Sequence, residues 1–155
     1  MARYRLRAPD AERGRSDVAL QARPLTLVLD ASTVVVAALA DDGFALFGDE
    51  ALVAPPLMWS QARSALHELM WRREISPEEA EAARARVERS PCSRRSPARL
   101  GDQAWRLATT FGWAKTYDAE YVALAGLLHC RLITVDARLR RATERLGFVI
   151  GPTDV

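Results

Sequence analysis

Residues 25–32 read LTLVLDAS, and residues 131–138 read RLITVDAR. Each is a short apolar run that stops at an acid, Asp30 in the first and Asp136 in the second. A strand that is apolar at nearly every position is covered on both faces, as in a parallel sheet flanked by helices. Burial accounts for the leucines, valines and isoleucine. It does not account for a carboxylate at the end of each run.

Working outward from these runs, helical and strand-like segments alternate. Pro24 opens the folded part, and Leu25 to Leu29 reads as the first strand. STVVVAALA (32–40) follows, with alanines that favour helix and Ser32 or Thr33 as its cap. ALVA (51–54) is a second strand, closed by Pro55 and Pro56. From Leu57 to about Arg73 the spacing turns helical, with Ala62, Ala65, Leu66, Leu69 and Met70 on one face. SPEE (76–79) starts a helix to about Arg89: Ser76 caps, Pro77 takes the first position and Glu79 closes a capping box. Residues 90–99 read as a loop. A helix covers roughly 98–111 and ends at Gly112. Thr116 caps the next, in which Tyr117, Tyr121, Leu124 and Leu128 recur at helical spacing. Residues 131–135 form a strand, Ala137 to Leu146 a basic helix, and Phe148 to Ile150 a last strand.

This alternation predicts an α/β fold with a short, mostly parallel central sheet and helices on both faces. In such sheets ligands bind outside the carboxyl ends of the strands. Asp30 and Asp136 both occupy that edge. Two carboxylates gathered there repel, and one must hold its proton unless a cation joins them. Hard divalent cations such as Mg²⁺ and Mn²⁺ take oxygen ligands. Asp118, in the first turn of its helix, is a third candidate. Each acid also has a plain structural reading: Asp30 and Asp136 as caps for the helices they precede, Asp118 as an ordinary first-turn acid.

Composition narrows the function classes. The chain has 155 residues, enough for one domain, with 49% hydrophobic residues and a net charge of +2. Of its 22 basic residues only Lys115 is lysine. Arginine grips phosphate bidentately and stacks on bases. Residues 1–23 carry six arginines against three acids and little apolar residue, and read as a weakly ordered basic arm before a domain spanning 24–155. No apolar run approaches the roughly 18 residues of a membrane span. No signal peptide is visible, so the cytoplasm is the expected compartment. Cys92 and Cys130 have no metal spacing. No glycine-rich phosphate loop is present. D-A-S after the first strand lacks the second acid of a dehalogenase-type phosphatase, and neither strand end supplies the adjacent acids and lysine of a phosphoacceptor receiver.

Three segments together resemble the PIN domain, and within it the VapC-type toxins of toxin–antitoxin pairs. They are LVLDAS, then APPLMWSQARSALHELMWRREISPEEA, then KTYDAEYVALAGLLHCRLITVDARL. The resemblance covers roughly residues 25–150 and is most specific at Y-D-A, Y-V-A-L-A and T-x-D. It implies a three-layer PIN-like fold and a Mg²⁺- or Mn²⁺-dependent endoribonuclease. Asp30, Asp118 and Asp136 would be its metal ligands, with Ser32 and Thr134 orienting them. It further implies a cognate antitoxin as partner, an RNA substrate and a homodimer. Trp59, Met70 and Trp71 are candidate partner contacts. Arg94, Arg95, Arg99 and Arg138, with Arg140 and Arg141, are candidate RNA contacts, and Tyr117, Trp59 and Trp113 are candidates for base stacking. His67 and His129 belong to no triad and read as structural.

One position departs from the pattern: the family's second acid, a glutamate, falls on Gln61. Glutamine has the shape of glutamate but neither neutralises a cation nor serves as a base. An introduced Glu→Gln change, a natural loss of activity and a variant tolerated by three aspartates all give this residue. The alternative function is therefore a catalytically disarmed module that binds RNA or antitoxin without cutting. Glu68, about 10 Å further along the helix, is too distant to stand in for the missing acid.

Overall fold

The computed structural model describes residues 24–155, so the expected basic arm lies outside the described residues. Five strands are present: β1 (Thr26–Leu29), β2 (Ala51–Ala54), β3 (Ser93–Arg94), β4 (Arg131–Ile133) and β5 (Val149–Ile150). Six α-helices accompany them: α1 (Ala31–Leu39), α2 (Leu57–Trp71), α3 (Pro77–Glu88), α4 (Leu100–Phe111), α5 (Tyr117–Leu128) and α6 (Ala137–Ala142). The strands form one sheet in the order β3-β2-β1-β4-β5, and every pairing is parallel.

The order explains the layers. From β1 the chain steps outward through β2 to β3, then returns to lay β4 and β5 on the other side of β1. Right-handed crossovers in opposite directions place their helices on opposite faces. Accordingly α1, α2 and α3 pack on one another, while α4 packs along α5, which lies against β1 and β4. This is the α/β architecture expected from the alternating pattern. The order in which strands are added reverses between β1 and β4, and there a doubly wound sheet opens its crevice.

The core is read directly from the strands. Leu27, Val28, Leu29, Leu132 and Ile133 are fully buried. Helix α5 is enclosed almost all round, with Ala119 and Tyr121 to Ala125 buried and Phe148 lying 3.9 Å from where a Cβ on Gly126 would stand. The four-residue stripe from Tyr117 to Leu128 was therefore only part of its contact surface, and Tyr117 itself is exposed. Small side chains let a helix be surrounded without showing a clear polar face.

Six local expectations are corrected. Asp30, rather than Ser32 or Thr33, caps α1. Residues 90–99 are not all loop: Ser93 and Arg94 pair with Val53 and Ala54 as an edge strand. Thr116 precedes α5 without a capping bond from its side chain. The strand at 131 ends at Ile133, and the basic helix at Ala142, followed by a single 3₁₀ turn. Trp59 is not an exposed contact residue. It is buried on the inner face of α2 with Met58, Ala62 and Leu66, and the Arg94 guanidinium lies 4.7 Å from its ring centre. By contrast the SPEE helix start is as read: Ser76 and Glu79 form a reciprocal capping box.

Candidate active site

Asp30 follows β1 directly and is buried, with 6% of its surface exposed. Its Oδ1 accepts from the Thr33 backbone N–H at 2.8 Å and from Ser32 Oγ at 2.9 Å. Its Oδ2 accepts from Ser32 Oγ at 2.9 Å and from Thr134 Oγ1 at 2.5 Å. The carboxylate thus caps α1 and also ties β1 to β4. The same two strands are laced by Thr33 Oγ1 donating to the Ile133 carbonyl at 3.1 Å. Threonine at 134 is fully buried, and its oxygen in turn accepts from the Asp136 N–H at 3.0 Å. Hydrogen bonds of this kind compensate the burial of a charge.

Asp136 caps α6: its Oδ1 accepts from the N–H groups of Arg138 at 2.8 Å and Leu139 at 3.3 Å. Its Oδ2 lies 3.6 Å from the Arg138 guanidinium. Asp118, in the first turn of α5, is half-buried. Burial pushes its carboxyl above the usual range, Asp136 pushes it further, Arg138 opposes, and Asp30 adds to the rise. The three aspartates therefore share one field at the switch point between β1 and β4. The capping reading of Asp30 and Asp136 holds as well, since a cap uses only part of a carboxylate's accepting capacity.

Gln61, on α2, is tied to this edge by a residue that pattern reading left in the core. The Tyr121 hydroxyl donates to Gln61 Oε1 at 2.6 Å. Tyr121 is 2% exposed, and its hydroxyl is pushed well above the ordinary range by burial and then by Asp30, with Asp118 and Glu120 adding to the rise. A tyrosine in a helix of alanine, glycine and leucine needs a polar partner for its oxygen; that was the available signal. Glu68 is paired instead with exposed Arg72, which agrees with its being no substitute at position 61.

Among the described residues, no three His, Cys, Asp or Glu side chains converge into a closed metal cage. The donor set nonetheless suits a hard cation: it is all oxygen, the charges repel, and Asp118 and the Asp136 Oδ2 keep unused lone pairs. Mg²⁺ is usually held in this open manner, by one or two carboxylates with water and substrate phosphate completing the shell. Neither thiol competes for metal. Both are free, and burial pushes the Cys92 thiol up to about 11.

The arginines separate into groups. Arg138 neighbours Asp136 and Asp118. Arg94 and Arg95 leave the carboxyl end of β3 on the same sheet edge, two strands away from β1, and Arg94 is engaged with Trp59. Arg99 precedes α4 and is exposed. The Arg140 guanidinium lies beside Gly151, just after β5. His67 and His129 are exposed, and His129 ends α5 in a left-handed conformation.

Comparison with known proteins gives the chain relatives. Over 115 residues it is 35% identical to a VapC ribonuclease of Mycobacterium bovis, an alignment covering 73% of this chain and 87% of the relative. Ribonuclease VapC9 of Mycobacterium tuberculosis matches with the same identity and coverage. Among solved structures, PAE2754 from Pyrobaculum aerophilum superposes with a TM-score of 0.65, covering 85% of this chain and 94% of that one. At 24% identity that likeness bears on the fold alone. No protein-family model matches the sequence.

Proposed function

The chain belongs to the VapC ribonuclease family, and from that premise we propose that it is a toxin-type endoribonuclease dependent on Mg²⁺ or Mn²⁺. The observation that carries this reading is the gathering of Asp30, Asp118 and Asp136 at the sheet's switch point, where Asp118 is raised first by burial and then by both neighbours. Asp118 and Asp136 would hold the cation through their free oxygens. Asp30 would face it with a geometry fixed by Ser32, Thr33 and Thr134. Bound there, the cation supplies the positive charge that activates a water for attack on phosphorus and offsets charge in the transition state. The chain's own groups do the rest. Thr134 and Ser32 keep the Asp30 carboxylate oriented, the α5 N-terminus and Arg138 favour anions beside it, and Tyr121 holds Gln61 in place.

Gln61 supports a second reading, a disarmed module that binds RNA or antitoxin without cutting. A neutral amide leaves the site one negative charge short of the family pattern, so a second cation is the first to be lost. Partners under either reading are RNA, a cognate antitoxin and a second copy of the chain. Exposed Trp71, with Met70 beside it, is the contact candidate that remains after Trp59 proved buried. No helix among the described residues is long and apolar enough to cross a membrane.

The test compares this chain with Gln61→Glu on RNA, with Mg²⁺ or Mn²⁺ and with excess chelator. The expected result is cleavage that chelator abolishes and that Gln61→Glu increases by about a hundredfold or more, the range for a positioned acid–base group. Absence of cleavage by both forms across several RNAs would replace the nuclease reading with the binding module.

A further inference from the structure

An open groove runs between the α4–α5 connection and α6, immediately beside the acids. It encloses about 500 Å³, and Trp113, Lys115, Asp118, Arg138, Leu139 and Ala142 line it. Each wall joins apolar surface to one cation, Trp113 with Lys115 on the connection and Leu139 and Ala142 with Arg138 on α6, and Asp118 links the groove to the candidate active site.

Local sequence builds each part. Gly112 ends α4 at a φ of 66°, a left-handed turn that suits glycine. The reversal lets the Trp113 N–H reach the Ala108 carbonyl at 2.8 Å. The indole then stacks on Phe111, with ring centres 4.9 Å apart and planes 19° from parallel. The stack fixes the ring in the groove wall and occupies one of its faces. Lys115 is exposed, and among the described residues no acid lies within ion-pair distance of it. Arg138 is held near Asp136 at 3.6 Å, while its side chain stays 80% exposed.

From this juxtaposition we infer a subsite for one unpaired nucleotide of RNA. Its base lies against Trp113, Leu139 and Ala142, its phosphate between Lys115 and Arg138, and the adjoining phosphodiester reaches Asp118. The volume falls in the range of roughly 300–1,000 Å³ typical of small-ligand pockets. Paired bases present no free face to an indole, whereas the bases of a single strand stack readily on aromatic side chains. An acidic peptide would satisfy the cations but offers the indole nothing to stack. The inference rests on the ribonuclease reading for its substrate, and it assigns to Trp113 and Lys115 the positioning of the strand beside Asp118.

The test is binding of a labelled, unstructured oligouridylate in excess chelator, where nothing is cut. Trp113→Ala weakens binding by about tenfold and leaves the salt dependence unchanged. Lys115→Gln weakens it and lowers the slope of log affinity against log salt by about 0.7, the share of one phosphate contact on a single strand. Because Trp113 also packs on Phe111, exposed Ala142 provides a variant outside the core: Ala142→Glu places a like charge in the groove and reduces binding. Lys115 is the only lysine in the chain, so acetylation read by peptide mass spectrometry isolates it. The oligouridylate protects it, and the same strand annealed to its complement does not. Unchanged affinity and slope in Lys115→Gln and Ala142→Glu overturn the subsite, as does equal protection by duplex, or protection by polyglutamate but not by RNA. An oligouridylate that occupies the groove yet stays intact when Mg²⁺ or Mn²⁺ is restored upholds the subsite and counts against the ribonuclease reading alone.

Discussion

Asp118 is half out of water, faces two other carboxylates, and has one cation, Arg138, in opposition. Its folded carboxyl sits above the ordinary value of 3.8. Between that value and the raised one the folded chain binds the proton more tightly than the unfolded chain does. Stability therefore falls as pH rises through this window, and the penalty is complete above the folded value. In chelator at neutral pH, Asp118→Asn is expected to melt at a higher temperature than the parent. The gap should close as pH drops to about 3.8 and below. Added Mn²⁺ reverses the order by stabilising the parent and not the variant. Thermal scans at two pH values check this, and equal melting temperatures throughout would contradict it. At this scale the sequence disclosed the acids and their hydroxyl companions, Ser32 and Thr134, through T-x-D and D-A-S. It concealed Tyr121 and Lys115. The phenol looked like one more apolar stripe residue, and nothing in the local pattern said that its oxygen meets α2, sixty positions earlier in the chain.

The capped helix α3 shows what local chemistry decides unaided. Ser76 and Glu79 satisfy orphan N–H groups and Pro77 removes one wherever the segment lies, so SPEE gave both the start and the geometry. Ser76→Ala is expected to cost about 1 kcal/mol in a urea titration while leaving RNA cleavage unchanged, since this helix start does not contribute to the acid edge. A change in cleavage without a change in stability would be the contrary result. Strand β3 is the opposite case. It has two residues, both exposed, in a segment with prolines on either side. Only the main-chain groups of β2, far off in sequence, make it a strand, and side-chain periodicity carries no trace of that. Trp59 misled for a related reason. An aromatic residue on α2 looks the same in sequence whether its face meets solvent or the sheet, and Arg94 arrived over it from β3.

At the scale of the whole molecule, the order β3-β2-β1-β4-β5 is the functional device. It makes β1 and β4 neighbours although about a hundred residues separate them, and so brings Asp30, Thr134 and Asp136 onto one edge. Alternating apolar segments were enough to foresee a parallel sheet with Asp30 and Asp136 at its carboxyl ends. They were not enough to place Asp118, which depends on α4 and α5 folding back across β1 and β4. The central claim is that this edge holds a divalent cation. It is tested most directly by titrating Mn²⁺ and following the free ion by electron paramagnetic resonance, for this chain, Asp118→Asn and Asp136→Asn. Saturable binding by the parent, weakened at least about tenfold by either substitution, is the predicted result. Identical Mn²⁺ binding in all three proteins, or no saturable binding in the parent, would contradict the account.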